Sequence, residues 1–166
     1  MGGCLLKKLC VMMALVCLLT GCAPQDVMET VADEAVLSPN PARNIRVELP
    51  EETVLPVMQT DTGELYICRD FEVSVQTLPG GDLERTVRSL TGFSTADVTI
   101  METASDGLTR YDLAWSCAGE LGSQVGRASI LSDAGWHYCL TAMTAEENAQ
   151  SYREIFNGMF ESFAVG

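Results

Sequence analysis

The sequence predicts an α+β fold in which an antiparallel sheet of about six strands is flanked by helices, an α/β/α sandwich. Between residues 98 and 143, four segments of alternating apolar and polar residues are separated by turns too short for parallel pairing. A short amphipathic helix precedes these segments, and a longer one follows them. Because a sheet and a helix must each cover an apolar face, these elements predict one layered domain.

Two predicted strands open the domain. The first, Val54–Thr60, contains Pro56, which cannot donate a hydrogen bond to a neighbouring strand, so an edge position is expected. The turn Asp61–Gly63 separates it from an extended segment, Leu65–Gln76, whose second half alternates apolar and polar residues. The break in this pattern at Arg69–Asp70 is interpreted as a bulge within one long strand.

The first helix is predicted over Leu83–Thr91. Asp82 precedes it and is a residue type that caps helix N-termini. Glu84 and Arg88 are four residues apart, so they are expected to pair on the exposed face. Gly92 suits the turn that ends the helix.

Four strands with short connections are predicted next: Val98–Thr103, Thr109–Cys117, Ser123–Leu131 and Trp136–Met143. Such short connections permit only antiparallel pairing of neighbours. In the third of these strands, Gly126 and Ala128 place small side chains on one face. They are expected to let a helix approach the sheet closely.

The last predicted element is a helix that begins near Thr144. Thr144 and Glu147 have the spacing of a capping box, in which each side chain bonds the other residue's backbone N–H. The helix carries an apolar stripe at helical spacing: Tyr152, Ile155, Phe156, Met159, Phe160 and Phe163. We interpret this stripe as the cover of one face of the sheet.

The N-terminal segment has the layout of an export signal. A basic region ends at Lys8, and the apolar run Leu9–Leu19 that follows is eleven residues long, too short for a hydrocarbon core of about 30 Å. The motif Leu19-Thr20-Gly21-Cys22 resembles the lipobox of bacterial lipoproteins. The resemblance implies removal of residues 1–21 by cleavage between Gly21 and Cys22, with a diacylglyceryl group on the Cys22 sulfur.

The rest of the chain divides into two parts. Residues 22–45 are predicted to contain the lipidated cysteine and then a flexible acidic tether with three prolines. Residues 46–166, 121 positions without an internal repeat, have the length of one domain. We therefore expect an exported domain held by lipid on the extracytoplasmic side of a membrane.

The charge of the chain restricts its partners. The formal net charge is −13, and both lysines lie in the predicted signal peptide. Beyond Cys22 there are eight arginines against 23 acidic residues, a side-chain charge of −15. Such a chain is repelled by nucleic acid and by anionic lipid headgroups. No nucleic-acid binding is predicted, and the lipid on Cys22 is the expected membrane attachment.

Cysteine and histidine spacing predicts no metal site. Cys68, Cys117 and Cys139 show no C-x-x-C pair, and His137 is the sole histidine. The three thiols are interpreted either as buried small hydrophobes or as including one disulfide, for which Cys117 and Cys139 are the favoured pair. His137, in mid-strand, is a candidate general base or a strand residue with a local hydrogen bond.

The C-terminal part of the chain resembles PsbP/Mog1-type domains. The segment Tyr138–Ala142 runs into Thr144–Phe163, so a final strand enters a long helix that ends in Glu161-Ser162-Phe163. The resemblance implies an α/β/α sandwich whose relatives act mostly as binding or assembly partners, without a shared catalytic centre. It transfers no functional residues to this chain.

The sequence contains no P-loop, nucleophile elbow, zinc-protease or dinucleotide motif, so neither an enzyme nor a cofactor is predicted. The leading interpretation is a non-catalytic envelope lipoprotein that binds another envelope protein or assists an assembly. The alternative is a lipoprotein that holds a small ligand in a pocket between sheet and helix, with Trp115 and Trp136 as candidate lining. A hydrolase with His137 as its base is the third.

Overall fold

The structure is a computed structural model, and it describes residues 40–166 apart from five positions: Glu52, Val54, Asp106, Glu120 and Leu121. The predicted signal peptide, Cys22 and most of the predicted tether lie outside the described residues. No helix in the described part is long and apolar enough to cross a bilayer.

Seven strands form the main sheet, and every neighbouring pair is antiparallel. The strands are β2 (Met58–Thr60), β3 (Gly63–Ile67), β4 (Phe71–Pro79), β5 (Thr99–Ser105), β6 (Leu108–Gly119), β7 (Gly122–Ser132) and β8 (Trp136–Ala145). Their order across the sheet is β2-β3-β4-β8-β7-β6-β5, so the chain crosses over once, after β4.

Two helices and a small second sheet complete the domain. Helix α1 spans Leu83–Thr91, and helix α2 spans Ala149–Ser162. Strand β1 (Ile45–Arg46) pairs with β9 (Ala164–Val165), so the start of the domain is joined to its end. The two ends are therefore held together by backbone hydrogen bonds as well as by packing.

The main sheet has a buried core on each face. Under α2, the buried residues are Tyr66, Phe71, Val73, Leu131, Tyr138, Leu140, Ala142, Phe156, Met159, Phe160 and Phe163. Under α1, they are Val87, Leu113, Trp115, Ala128, Ile130 and Cys139. One helix on each side of an antiparallel sheet confirms the predicted α+β sandwich.

The predicted bulge at Arg69–Asp70 is wrong, because the chain reverses there. The backbone N–H of Cys68 donates to the carbonyl of Phe71 at 2.9 Å, which closes a turn between β3 and β4. The predicted strand Leu65–Gln76 is therefore two strands, and the main sheet has seven strands where about six were expected. Alternation of apolar and polar residues is the same in a continuing strand and in a hairpin, so the pattern does not distinguish them.

Helix α1 agrees with its prediction at both ends. The Asp82 side chain accepts from the N–H of Arg85, and Gly92 takes a left-handed conformation with φ of 77°. The Arg88 guanidinium donates to Glu84 at 2.7 Å. The side chain of Thr95 is the largest influence on Glu84, and its hydrogen bond lowers the pKa of that carboxyl. Local sequence signals thus specify this helix completely.

The predicted capping box at Thr144 and Glu147 is wrong. Thr144 is a buried residue of β8, and its hydroxyl donates to the carbonyl of Asp70 at 2.7 Å. A 3₁₀ turn, Glu146–Asn148, follows, and α2 begins only at Ala149. Pairing with β4 and β7 extends β8 to Ala145, so tertiary hydrogen bonds displace the local cap.

The apolar stripe of α2 packs largely as predicted. Phe156, Met159 and Phe160 are buried in the helix, and Phe163 is buried just beyond it. Ile155 is the exception within the predicted stripe, because it lies on the flank of the helix and is 38% exposed.

Gly126 accommodates an aromatic ring where a close helix was expected. Gly126 lies opposite Trp115 in the β6–β7 ladder, and the indole occupies the space that a Cβ at Gly126 would take. Ala128, two residues on, does pack with Val87 of α1 in the buried core. Gly126 therefore makes room for a side chain of the sheet, whereas Ala128 packs against the helix.

Candidate functional site

His137 is buried at the α1 interface of the sheet, with 2% of its surface exposed. Its Nδ1 lies 2.7 Å from the hydroxyl of Thr86 on α1. Burial lowers the pKa of the His137 ring, although the charges of Asp133 and Asp82 act in the opposite direction. His137 therefore stays neutral near pH 7 and links β8 to α1. A substrate in solvent has no direct path to it.

The favoured disulfide is absent, because Cys117 and Cys139 both have free thiols. Cys117 lies opposite Gln124 and level with Ala145, whereas Cys139 lies opposite Ile130. The two cysteines are thus six positions apart along the strands, about 20 Å at roughly 3.4 Å per residue. A disulfide needs Cα atoms within about 7 Å. Cys139 is fully buried, and burial raises the pKa of its thiol to about 12.

The two tryptophans lie on opposite faces of the sheet. Trp115 packs over Gly126 in the core beneath α1. Trp136 packs at the edge of the core beneath α2, and its Nε1 donates to the carbonyl of Asn40 at 2.9 Å. They do not line a common pocket.

A polar cluster crosses the interface between the sheet and the C-terminal end of α2. The Arg110 Nε donates to both carboxylate oxygens of Asp112 at 3.0 Å, and Nη2 donates to the Ser129 hydroxyl at 3.0 Å. Nη2 also donates to the carbonyl of Phe160 at 2.9 Å. Ser129, fully buried, in turn donates to Asp112. Arg110 thereby satisfies a carbonyl that the helix leaves without an intrahelical partner.

Residues 40–46, most of which were assigned to the tether, contact the domain. The backbone N–H of Arg43 donates to the Tyr138 hydroxyl at 3.1 Å, and that hydroxyl donates to Asp133 at 3.1 Å. Burial acts to raise the pKa of Asp133, but hydrogen bonds from the N–H groups of Gly135 and Trp136 outweigh it and lower that pKa. An ionised Asp133 therefore organises the place where the chain enters the domain.

A cleft of about 280 Å³ lies where this entering segment passes the end of the sheet. Arg43 and Arg110 supply its charged lining, and its apolar lining includes Leu108, Leu131 and Phe163. The space between sheet and helix that the sequence suggested for a ligand is otherwise filled by the two cores, whose central side chains are fully buried.

Exposed apolar side chains gather at the opposite edge of the sheet. We call Leu55, Val57, Met58 and Ile67 the β2–β3 patch; their exposed fractions are 78%, 59%, 54% and 57%. The backbone N–H of Val57 donates to the carbonyl of Leu65 in β3 at 2.8 Å, and Met58 pairs with Leu65 in the β2–β3 ladder. None of the four residues belongs to either buried core. A surface cleft of about 350 Å³ adjoins the patch at Met58 and Leu65.

Neither the cleft nor the β2–β3 patch is predictable from the sequence. In the sequence, the patch is visible only as the apolar residues Leu55, Val57 and Met58 around Pro56. This run is too short to show which of its side chains remain exposed. The cleft joins Arg43 to Arg110, 67 positions away, and no sequence spacing indicates such a pair. Within the described part, no three histidine, cysteine or acidic side chains gather as a metal site would require.

Comparison with known proteins identifies a related fold. No family model matches the chain, and no curated protein matches it. The crystal structure of LpqN, described as involved in cell envelope biogenesis of Mycobacterium tuberculosis, matches with a TM-score of 0.50 and 12% identity, over 76% of this chain and 86% of LpqN. The solution structure of cyanobacterial PsbP (CyanoP) from Synechocystis sp. PCC 6803 matches with a TM-score of 0.49 and 13% identity, over 78% of this chain and 96% of CyanoP. At such identities the likeness to LpqN concerns the fold alone.

Proposed function

We propose that the chain is an envelope lipoprotein, anchored through Cys22, whose domain binds another envelope protein as a non-catalytic assembly or accessory factor. The fold shared with LpqN, a protein of cell envelope biogenesis, and the lipobox-like motif support this location. The observation that carries the proposal is the β2–β3 patch.

The patch has the character of a contact surface. Isolated exposed apolar residues are common on proteins, but four large ones in or next to the same two strands at a sheet edge are not. Their apolar area gains free energy at about 25 cal/mol per Å² when a partner removes it from water. Because no described core uses these side chains, the stability of the domain does not account for them.

The chemically reactive side chains have structural partners instead. His137 bonds Thr86, and Cys139 is buried with a raised pKa. The polar cluster of Arg110, Asp112 and Ser129 binds the end of α2. A binding role therefore fits the described residues better than the hydrolase alternative, whose base would have been His137.

Site-specific photo-crosslinking tests the proposal. A photoreactive phenylalanine analogue replaces Ile67 in the full chain in its native envelope, and we expect one discrete crosslinked product with another envelope protein. The same analogue at Ser89, an exposed residue of α1, is the matched control and should give no such product. Lysine-reactive reagents are unsuitable because the chain beyond Cys22 has no lysine.

A second variant establishes that the patch itself binds. Leu55→Asp with Met58→Asp should abolish the product from position 67, because both changes place a charge in the contact, while circular dichroism of the domain stays unchanged. Equal crosslinking from positions 67 and 89, or a product that survives the double substitution, would contradict the proposal.

A further inference from the structure

The cleft beside the entering segment has a mixed lining. Its large apolar lining residues are Leu108, Leu131, Phe163 and Val165. Its charged lining residues are Arg43 and Arg110, and no described acidic residue lines the cleft. In a chain with a net charge of −13, such a lining is a local exception. Its volume, about 280 Å³, is near the lower end of the range for small-molecule sites.

Arg110 is held in place and still has donors to spare. Asp112, Ser129 and the carbonyl of Phe160 engage its Nε and Nη2 groups. The two N–H groups of Nη1 have no acceptor among the described residues, and the side chain keeps about a quarter of its surface exposed to solvent. A guanidinium fixed on one side by a carboxylate is preorganised to bind on the other.

Arg43 is the more accessible of the two. Its Nη2 lies 3.7 Å from Asp133, too far for a hydrogen bond, and its guanidinium is 5.9 Å from the centre of the Tyr138 ring. Within the described part, the only hydrogen bond of Arg43 is the one its backbone donates to Tyr138. Its five side-chain N–H groups are thus available to a ligand.

We propose that this cleft binds a small amphiphile with a single carboxylate, whose headgroup pairs with Arg43 and Arg110 and whose apolar part lies against Leu108, Leu131 and Phe163. A guanidinium matches a carboxylate with two parallel hydrogen bonds. Since Asp112 and Asp133 already offset part of the arginine charge, a monoanion suits the cleft better than a doubly charged phosphate ester. The inference does not depend on the β2–β3 patch, so either can fail without the other.

Calorimetry with octanoate tests the assignment on the full chain in phosphatidylcholine nanodiscs. We expect one site with a dissociation constant of about 6 mM or tighter, the affinity scale of a ligand with ten heavy atoms. Arg43→Gln should weaken binding about tenfold, the scale of one charge-assisted hydrogen bond. Arg153→Gln removes the same charge from an exposed position on α2 and should leave the affinity unchanged. Octanoate also partitions into the lipid of the disc, but this heat is the same for the wild type and both variants.

Two comparisons examine the headgroup and the location. Octanol and acetate, each lacking one half of the proposed ligand, should bind at least about tenfold more weakly than octanoate. In methyl NMR spectra, octanoate should shift the signals of Leu108 and Leu131 and leave Leu55 of the patch unmoved. The proposal would be overturned if the wild type and Arg43→Gln bound octanoate equally, or if octyl phosphate bound more tightly than octanoate. NMR shifts confined to Leu55 would also overturn it.

Discussion

Buried polar side chains in this domain are paired across long stretches of sequence. His137 bonds Thr86, 51 positions earlier, and Ser129 bonds Asp112 on the neighbouring strand. Leaving such a group without a partner costs about 1–3 kcal/mol, so the first pair restrains the packing of α1 against the sheet and the second restrains β6 against β7. Among the described side chains, the Thr141 hydroxyl is the one buried polar atom without a partner.

The neutral state of His137 predicts how stability depends on pH. Burial lowers the pKa of the folded ring below its usual value, so an unfolded chain takes up a proton near pH 6.5 that the folded chain does not. The stabilisation is complete above about pH 6.5 and is lost as the pH falls through that value towards the folded pKa.

Urea unfolding at pH 7.5 and 5.5 measures this effect. The wild type should lose more free energy of unfolding over this interval than His137→Gln, which cannot take up the proton. The carboxyl groups titrate in both proteins and cancel in the comparison. Equal losses in the two proteins, or an NMR titration that places the His137 pKa above 6.5, would show that the ring is not buried in its neutral form.

At the level of single elements, local sequence signals explain helix α1 and the existence of the long strands. Pairing with neighbouring strands determines where those strands end. Asp82 and Gly92 end α1 without help from the rest of the fold. Strand β8 continues to Ala145 because β4 and β7 flank it, and Thr144 then bonds Asp70 instead of capping α2. The reversal at Cys68–Asp70 likewise follows from pairing that the alternating pattern does not reveal.

Two glycines provide a matched test of packing in these elements. Gly126→Ala should lower the free energy of unfolding by about 1–3 kcal/mol, because the new methyl group overlaps the ring of Trp115. Gly158→Ala, in the interior of α2 with open space around the new Cβ, should raise stability by up to about 1 kcal/mol. Chemical denaturation of both variants measures the difference. Equal effects would mean that Trp115 does not lie over Gly126.

For the molecule as a whole, the relevant features are charge and attachment. A side-chain charge of −15 beyond Cys22 gives this part of the chain no electrostatic attraction to an anionic membrane. In the proposed lipoprotein, a diacyl anchor on Cys22 would supply stable attachment by apolar burial alone, because each methylene contributes about 0.8 kcal/mol.

The anchor is tested by Cys22→Ser. If the proposed anchor is correct, this variant should lose incorporation of labelled fatty acid and retain its signal peptide, because the lipid is proposed to be on the sulfur and to be added before cleavage. Metabolic labelling followed by mass spectrometry of the N-terminus measures both. Cys68→Ser is the control, since that thiol belongs to the domain and its replacement should leave labelling intact. Labelling that persists in Cys22→Ser would place the lipid elsewhere.

The sequence by itself determined the fold class, helix α1, strands β5 to β8 within about two residues and most of the residues of α2 that face the sheet, because hydrophobic period and turn residues are local properties. The tertiary structure decided what depends on partners distant in sequence. It split Leu65–Gln76 into a hairpin, placed Trp115 over Gly126, separated Cys117 from Cys139 and left Leu55, Val57, Met58 and Ile67 exposed. It also brought Arg43 to Arg110, because β1 pairs with β9 only in the folded chain.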